Sequence, residues 1–154
     1  MAQQLWFLRH GEAEPHDVRP DADRRLTERG EEQSRCAGRA LVALEITVQL
    51  VLTSPRIRAL DTARLACLEL GSDFVVDDAL SSGFALDDAI ELAAGAGERV
   101  LFVGHDPDFT QVVCDLTGTR VDFKKGGVAG VRMRGSRRGE LIVLLRPREL
   151  ARIA

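Results

Sequence analysis

Two continuous apolar runs, each ending at a histidine, constrain the fold of this chain more than any other feature. Leu5–Leu8 leads into Arg9-His10-Gly11, and Val100–Val103 leads into Gly104-His105. A short apolar run bounded by polar residues is typical of a strand buried on both faces, as in a parallel sheet. The repetition predicts two such strands, each with a histidine at its carboxyl end.

Helical patterns separate the predicted strands. Thr27 can cap a first helix, whose apolar face follows a helical period over residues 36–44. A strand over residues 48–53 then leads to Ser54-Pro55, a cap and a first helical residue in the order that helix starts prefer. This order predicts a second helix from Pro55 to about Leu70.

The rest of the chain continues the alternation. The expected elements are a short strand at 74–76, a weaker helix over 85–94, a strand over 99–104, a helix that Asp106-Pro107 begins and that runs to Leu116, and two strands over 128–133 and 141–145. Alternating strands and helices predict an α/β fold. We expect a three-layer α/β/α sandwich with a mostly parallel central sheet and a C-terminal edge hairpin. The 154 residues suit a single domain over 1–154.

Composition limits the partners and the location. The formal net charge of −3 gives no general attraction to nucleic acid or to an anionic membrane, and no apolar run approaches the ~18 residues of a membrane span. We therefore expect a cytoplasmic protein. Cys36, Cys67 and Cys114 lack metal-type or disulfide-type spacing. We expect no metal and no organic cofactor.

Basic side chains are concentrated near the C-terminal hairpin. Lys124-Lys125 precedes it, and Arg132, Arg134 and Arg137-Arg138 lie along it. Such charges could form a basic rim for an acidic partner or for nucleic acid, but a solvated hairpin is the simpler interpretation. Aromatic residues do not interleave with them, so nucleic-acid binding is not expected.

Charged residues that suit phosphate chemistry lie where the predicted strands end. The carboxyl ends of parallel strands meet at one edge of a sheet, which would bring together Arg9, His10, Arg58 and His105. Arginine offers a planar fork of donors to phosphate oxygens, and a neutral imidazole can attack phosphorus. These residue types predict phosphoryl transfer.

Four ordered motifs carry a resemblance to a known family. They are Leu8–Ala13, Leu26–Gly30, Ser54–Ala59 with Thr62-Ala63, and Gly104–Pro107. In this order and at these separations the chain resembles the histidine phosphatase superfamily from about Leu5 to Leu116.

The resemblance implies a role for each site residue. By it, His10 is the nucleophile, Arg9 and Arg58 hold the phosphoryl group, and His105 stabilises the transferring oxygens. Arg24, just before the second motif, is implied as an additional phosphate ligand. The family spacing after Ser-Pro selects Arg58 over Arg56, which is expected at the rim.

Departures from the mutase branch of that superfamily narrow the range of expected substrates. That branch has threonine and asparagine where this chain has Ala13 and His16. Its general-acid motif is missing too, because Asp77, Asp78, Asp87 and Asp88 lack the context and are expected to be surface charges. The chain looks most like the small phosphohistidine phosphatases of the SixA type.

The substrate implied by that branch is a phosphorylated histidine on a protein. Glu12 is an open candidate for the general acid. Two alternatives remain: a phosphatase of small phosphomonoesters such as sugar or nucleotide-derived phosphates, and a non-catalytic phosphate-binding domain. For a protein substrate we expect the loop over residues 12–25 and the segment 123–127 to leave the pocket open. The oligomeric state is not predicted.

Overall fold

The computed structural model describes residues 2–154, in which a six-stranded sheet lies between two layers of helices. The elements are β1 (Gln4–Arg9), α1 (Glu28–Ala43), β2 (Leu50–Thr53), α2 (Ile57–Leu70), β3 (Val75–Val76), α3 (Leu86–Ala93), β4 (Arg99–Gly104), α4 (Asp108–Thr117), β5 (Val128–Met133), β6 (Gly139–Leu145) and α5 (Pro147–Ile153). Their alternation confirms the predicted α/β fold.

The sheet has the strand order β3-β2-β4-β1-β5-β6. The first four of these strands pair in parallel, whereas β5 is antiparallel to both β1 and β6. The sheet is therefore mostly parallel with a hairpin at one edge, as predicted. Because Val128 at the start of β5 pairs with Leu8, the segment before β5 lies at the edge where β1 ends.

Alternating side chains of β1 supply both halves of the core. Leu5 and Phe7 pack on the face covered by α3 and α4, and Trp6 and Leu8 pack on the face covered by α1, α2 and α5. All four are at most 1% exposed. Each such side chain contributes about 1.5–3 kcal/mol of burial free energy, so the central strands are held rigidly on both faces.

Two helices begin later than the sequence predicted. The second helix was expected to start at Pro55 but begins at Ile57, because the Ser54 hydroxyl accepts the Arg56 amide 3.1 Å away in a turn before the helix. In the same way α4 begins at Asp108, and the Asp106 carboxylate accepts the amide of Thr110 at 3.0 Å. At both places the predicted capping side chain accepts a backbone amide, but it lies further before the first helical residue than predicted.

The C-terminal helix α5 was not predicted. It has Pro147 in its first turn, and the Arg146 amide donates to the Glu149 carboxylate at 2.9 Å. Leu150 is the buried residue of this short helix and packs beneath α1 and the sheet. A single buried side chain gives too little periodicity for the sequence alone to reveal a helix.

The cysteines lie in three different helices and are free thiols. Cys67 is buried, and burial raises the pKa of its thiol to about 11. Cys36 was expected in the apolar stripe of α1 but is only partly buried, with its Sγ 3.6 Å from the Glu32 carboxylate. Leu44, the last residue of that predicted stripe, is 40% exposed.

The loop between β1 and α1 is more ordered than expected from its polar sequence. Ala13 forms an antiparallel bridge with Leu26, and a short 3-10 helix spans Asp21–Asp23. The Glu14 carboxylate binds the Arg19 side chain at 2.8 Å and the Arg25 amide at 2.7 Å. Across residues 2–154, no helix has both the length and the apolar character that a bilayer crossing requires.

Candidate active site

Two histidines stand side by side at the carboxyl edge of the sheet. His10 follows β1 and His105 follows β4, two adjacent parallel strands in which Arg9 is in register with Gly104. The ring centroids are 5.3 Å apart, and each residue is only 6% exposed. The fold thus brings together the ends of the two apolar runs.

Hydrogen bonding leaves one nitrogen of His10 available. Its Nδ1 lies 2.7 Å from the Gly11 carbonyl, which can only accept, so the proton of a neutral ring resides on Nδ1. Burial, with smaller contributions from the positive charges nearby, lowers the pKa of His10 to about 3. At neutral pH, Nε2 therefore carries a lone pair and can act as a nucleophile.

Ser54 fixes the tautomer of His105. The Ser54 oxygen accepts the Arg56 amide, and His105 Nε2 lies 2.7 Å from that oxygen. The hydroxyl proton is then best donated to Nε2, which leaves the proton of the neutral ring on Nδ1. Burial first, then the charges of Arg58 and Arg56, lower the pKa of His105 to about 3. His105 is therefore a neutral donor through Nδ1.

Three buried nitrogens in the described part of the chain have no hydrogen-bond partner. They are Arg9 Nε, Arg58 Nε and His105 Nδ1. An unpaired buried donor costs about 1–3 kcal/mol, so such groups are rare unless a ligand satisfies them. All three belong to residues at the strand-end site, which identifies the site as a receptor for an anion with several acceptor oxygens.

Backbone and carboxylate oxygens hold the outer ends of both arginines. Arg9 donates through Nη1 to the Phe123 carbonyl at 2.6 Å. Arg58, the second residue of α2, donates through Nη1 to the Asp21 carbonyl at 2.7 Å and through Nη2 to the Asp21 carboxylate at 3.2 Å. These contacts fix each guanidinium and leave its Nε free.

Asp21 joins three arginines of the site. Besides Arg58, its carboxylate contacts Arg56 and receives hydrogen bonds from Arg24, whose Nε lies 3.1 Å away. Burial raises the pKa of Asp21, but the Arg58 charge and the hydrogen bonds from Arg24 and Arg58 outweigh burial and hold this pKa below its usual value. Arg24 is 7% exposed and reaches the cluster through Asp21. Arg56 stays at the rim, its side chain 27% exposed.

The pocket is open as expected on the side of Arg9, Lys124 and Lys125, where a groove adjoins it, but not on the side of Arg58. Arg58 is only 5% exposed, because the loop over residues 12–25 folds across the site and places Asp21 on the arginines. Attraction between one carboxylate and several guanidinium groups draws this loop inward. The role of Asp21 was not predicted, because its contacts with Arg56 and Arg58 form only when the loop is folded.

Glycines from two separate motifs meet behind His10. A Cβ on Gly11 would lie 2.5 Å from the Gly30 carbonyl oxygen, and a Cβ on Gly30 would overlap the Glu12 carbonyl oxygen. The Gly11 amide also donates to the Thr62 hydroxyl of α2 at 3.1 Å. The nucleophile loop is therefore clamped between the first turns of α1 and the body of α2.

Replacing Gly30 with alanine is expected to destabilise the fold by about 1–3 kcal/mol, since backbone must move to admit the methyl group. The loop carrying His10 should move with it, because Gly11 and Glu12 lie directly against Gly30. Urea unfolding measures the loss of stability. Gly135→Ala is the matched control, because no atom lies within 4 Å of the added Cβ. Equal behaviour of the two variants would refute the clamp.

Glu12 lies at the edge of the site. One oxygen of its carboxylate accepts the Thr27 hydroxyl at 3.1 Å, and the other is 3.6 Å from the Arg29 guanidinium. Both contacts hold the carboxylate against the start of α1, where it forms a polar wall of the site.

Three of the four aspartates that were expected to be surface charges make local contacts away from the site. Asp77 accepts the Ala79 amide in a turn, Asp88 accepts the Ala85 amide at the start of α3, and Asp87 pairs with Arg137. Across residues 2–154, no three His, Cys, Asp or Glu side chains are grouped closely enough to hold a metal ion.

The neutral histidines make stability depend on pH. Both pKa values are about 3, below the ordinary 6.5, so the unfolded chain binds more protons between these values. The contribution of the two histidines to the free energy of unfolding should be fully present above about pH 6.5. As the pH falls to about 5, each histidine should lose about 2 kcal/mol of that contribution.

Urea unfolding at about pH 7 and about pH 5 measures this loss. The double variant His10→Ala/His105→Ala should lose much less stability on acidification than the unmodified protein. His16→Ala is the control, because the side chain of that third histidine is 85% exposed. If acidification lowers the free energy of unfolding equally in the double variant and the unmodified protein, the two histidines do not cause the pH dependence.

Comparison with known proteins gives a family match. The model of the histidine phosphatase superfamily (branch 1) matches residues 5–82, a range that includes His10, Arg24 and Arg58 and ends before His105. An uncharacterised protein of Picosynechococcus sp. (strain ATCC 27264 / PCC 7002 / PR-6) is 33% identical over 162 aligned positions, which cover 96% of this chain and 98% of that protein.

Solved structures show the same architecture. The protein histidine phosphatase SixA complexed with tungstate has a TM-score of 0.86 and 26% identity, covering 96% of this chain and 99% of that one. A mycobacterial glucosyl-3-phosphoglycerate phosphatase complexed with VO3 has a TM-score of 0.72 and 18% identity, covering 92% and 98%. At that lower identity the likeness shows a shared fold.

Proposed function

The chain belongs to the histidine phosphatase superfamily and is a phosphatase, and on this premise we propose that it hydrolyses phosphohistidine on proteins. The observation that carries the proposal is the pairing of a free His10 Nε2 with three unpartnered donors, on Arg9, Arg58 and His105. A nucleophile and an anion receptor at one sheet edge are what in-line phosphoryl transfer needs.

The reaction proceeds in two displacements. His10 Nε2 attacks phosphorus, the bond from phosphorus to the substrate imidazole breaks, and that imidazole leaves with a proton from solvent or a nearby acid. Water then attacks the phosphoryl group on His10, which releases inorganic phosphate and restores the imidazole. In both steps Arg9, Arg58 and His105 stabilise the charge on the equatorial oxygens. Arg24 supports them through Asp21.

A site that offers only a weak general acid favours phosphohistidine over a phosphomonoester as the substrate. An imidazole leaves phosphorus more readily than an unprotonated alkoxide, so this substrate asks little of an acid. Glu12, the candidate named from the sequence, is held at the edge of the site by Thr27 and Arg29. The similarity to the histidine phosphatase SixA supports the same substrate class. We further propose that residues 1–154 form one phosphatase domain.

Small phosphomonoesters are the alternative substrates. The glucosyl-3-phosphoglycerate phosphatase has the same fold, so the architecture accepts such a substrate in another protein. A non-catalytic phosphate-binding domain is disfavoured by the unprotonated Nε2 of His10, since binding alone would not require a nucleophile.

A turnover panel tests the proposed function. The panel compares kcat/KM for a phosphohistidine protein or peptide, a phosphoramidate, and a set of sugar phosphates and nucleotides. We expect the phosphohistidine substrate to react at least tenfold faster, about 1.4 kcal/mol of transition-state stabilisation. A phosphomonoester that reacts tenfold faster would establish the alternative, and binding without turnover of any substrate would establish a binding domain.

A further inference from the structure

A groove of about 500 Å³ lies beside the candidate active site and is lined mainly by positive charge. We name it the basic groove and define it by Arg9, Arg29, Lys124, Lys125, Arg146 and Arg148. These residues come from four separate parts of the chain, which the fold brings together at one side of His10. The grouping was only partly visible in the sequence, as the basic pair at 124–125.

Nearby carboxylates neutralise only part of this charge. Arg29 is 3.6 Å from Glu12, Lys124 is 3.0 Å from Asp122, and Arg146 is 2.8 Å from Glu149. Arg148 shares Glu149 at 3.8 Å, and Arg9 is 3.7 Å from Asp106. The six cations therefore face four carboxylates, and two positive charges remain. This excess contrasts with the net charge of −3 for the whole chain.

One side chain belongs both to the basic groove and to the candidate active site. Arg9 lines the groove, yet its unpartnered Nε lies among the donors for the phosphoryl group. Its Nη1 is held by the Phe123 carbonyl, at the start of the segment that carries Lys124 and Lys125. The groove therefore begins where the phosphoryl site ends.

Backbone hydrogen bonds fix the groove relative to the nucleophile. The Gly126 amide lies 2.8 Å from the His10 carbonyl and 3.0 Å from the Arg9 carbonyl, and the Arg9 amide donates to the Gly127 carbonyl. Lys125 therefore directly precedes Gly126, the residue whose amide donates a hydrogen bond to the His10 carbonyl. A group bound in the groove would be held at a defined distance from the reacting phosphorus.

We propose that the basic groove binds an acidic segment of the phosphorylated protein, next to its phosphohistidine. The proposal rests on the proposed function, because it assigns the part of the substrate that lies outside the phosphoryl site. Guanidinium groups pair with carboxylates through parallel hydrogen bonds, and an uncompensated positive groove attracts and orients an acidic partner. The groove lies outside the nearly buried phosphoryl site, where the polypeptide flanking a phosphohistidine must run.

Peptides of matched sequence test the groove. Two phosphohistidine peptides differ only in flanking residues, Asp and Glu in one and Asn and Gln in the other. The groove variant is Lys125→Glu/Arg148→Glu, and the control variant is Arg120→Glu/Arg138→Glu, which changes the net charge equally at exposed positions away from the groove. The readouts are kcat/KM for both peptides and the Kd of the unphosphorylated acidic peptide.

We expect the unmodified protein to prefer the acidic peptide at least tenfold in kcat/KM, mainly through KM. The preference should disappear in the groove variant and in about 0.5 M salt, but persist in the control variant. The Kd of the unphosphorylated acidic peptide should weaken tenfold only in the groove variant. That binding measurement keeps the test separate from catalysis, since it succeeds even if neither phosphopeptide is hydrolysed.

Three results would overturn the proposal. One is measurable hydrolysis of both peptides at equal rates by the unmodified protein, and another is unchanged binding of the acidic peptide by the groove variant. The third is a small bisphosphate whose kcat/KM depends on Lys125 and Arg148, while the kcat/KM of the acidic peptide does not. That result would assign the groove to a second phosphate group. Failure of the proposed function would look different, because the acidic peptide would bind in the groove without being dephosphorylated.

Discussion

Replacing His10 with alanine is expected to reduce phosphate release by at least about four orders of magnitude, as loss of a covalent nucleophile does in other enzymes. The other imidazole of the described site cannot take its place, because His105 is tied to Ser54 through Nε2. Initial rates with a phosphohistidine peptide and with phosphoramidate measure the loss.

The control for this prediction is His16→Ala. His16 lies in the same loop region but its side chain is 85% exposed, so its loss should leave the rate within about twofold. A His10→Ala variant that folds normally and keeps even a tenth of the activity would mean that another group attacks phosphorus.

Replacing Arg58 with alanine is expected to lower kcat/KM by about 10²–10³-fold, the usual effect of removing one preorganised donor to a developing negative charge. Arg58 is nearly buried and has a free Nε, and Asp21 fixes its other two nitrogens. Arg58→Lys should recover little, because an ammonium group keeps the charge but loses the planar fork.

Arg56→Ala is the matched control for Arg58→Ala. Arg56 donates through Nε to the Ser81 hydroxyl at 3.2 Å and contacts Asp21 from the rim, so its loss should cost less than tenfold. If Arg56→Ala were the more damaging change, the assignment of the phosphate-binding arginine would have to be exchanged between the two.

The sheet could be predicted because its strands are buried on both faces. Leu5–Leu8 and Val100–Val103 must exclude water from every side chain, so their sequences are continuously apolar. The pairing of β1 with β4 could not be predicted in the same way, because β2 and β3 lie between them in the chain and consecutive strands are more often neighbours. The helix α5 was missed, since its position depends on one buried leucine and on packing against α1.

Only the residues of the site that lie at or just after strand ends could be predicted from the sequence. Strand ends and motif spacing placed His10, Arg58 and His105 correctly at one edge, although their roles stay predictions. Ser54 was interpreted as a helix cap, and its contact with His105 depends on two strands being neighbours across the sheet. Asp21 was one of several loop aspartates in the sequence, and only the folded loop distinguishes it from the others.

The central claim is that His10 carries the phosphoryl group during turnover. The direct measurement is rapid mixing with a phosphohistidine peptide, an alkaline quench that preserves phosphohistidine, and mass spectrometry of the digested protein. One phosphoryl group is expected on the imidazole of His10 within the first turnover, and none on the corresponding digestion fragment of the His10→Ala variant. A phosphoryl group on a cysteine or serine, or full turnover without any phosphorylated protein, would contradict it.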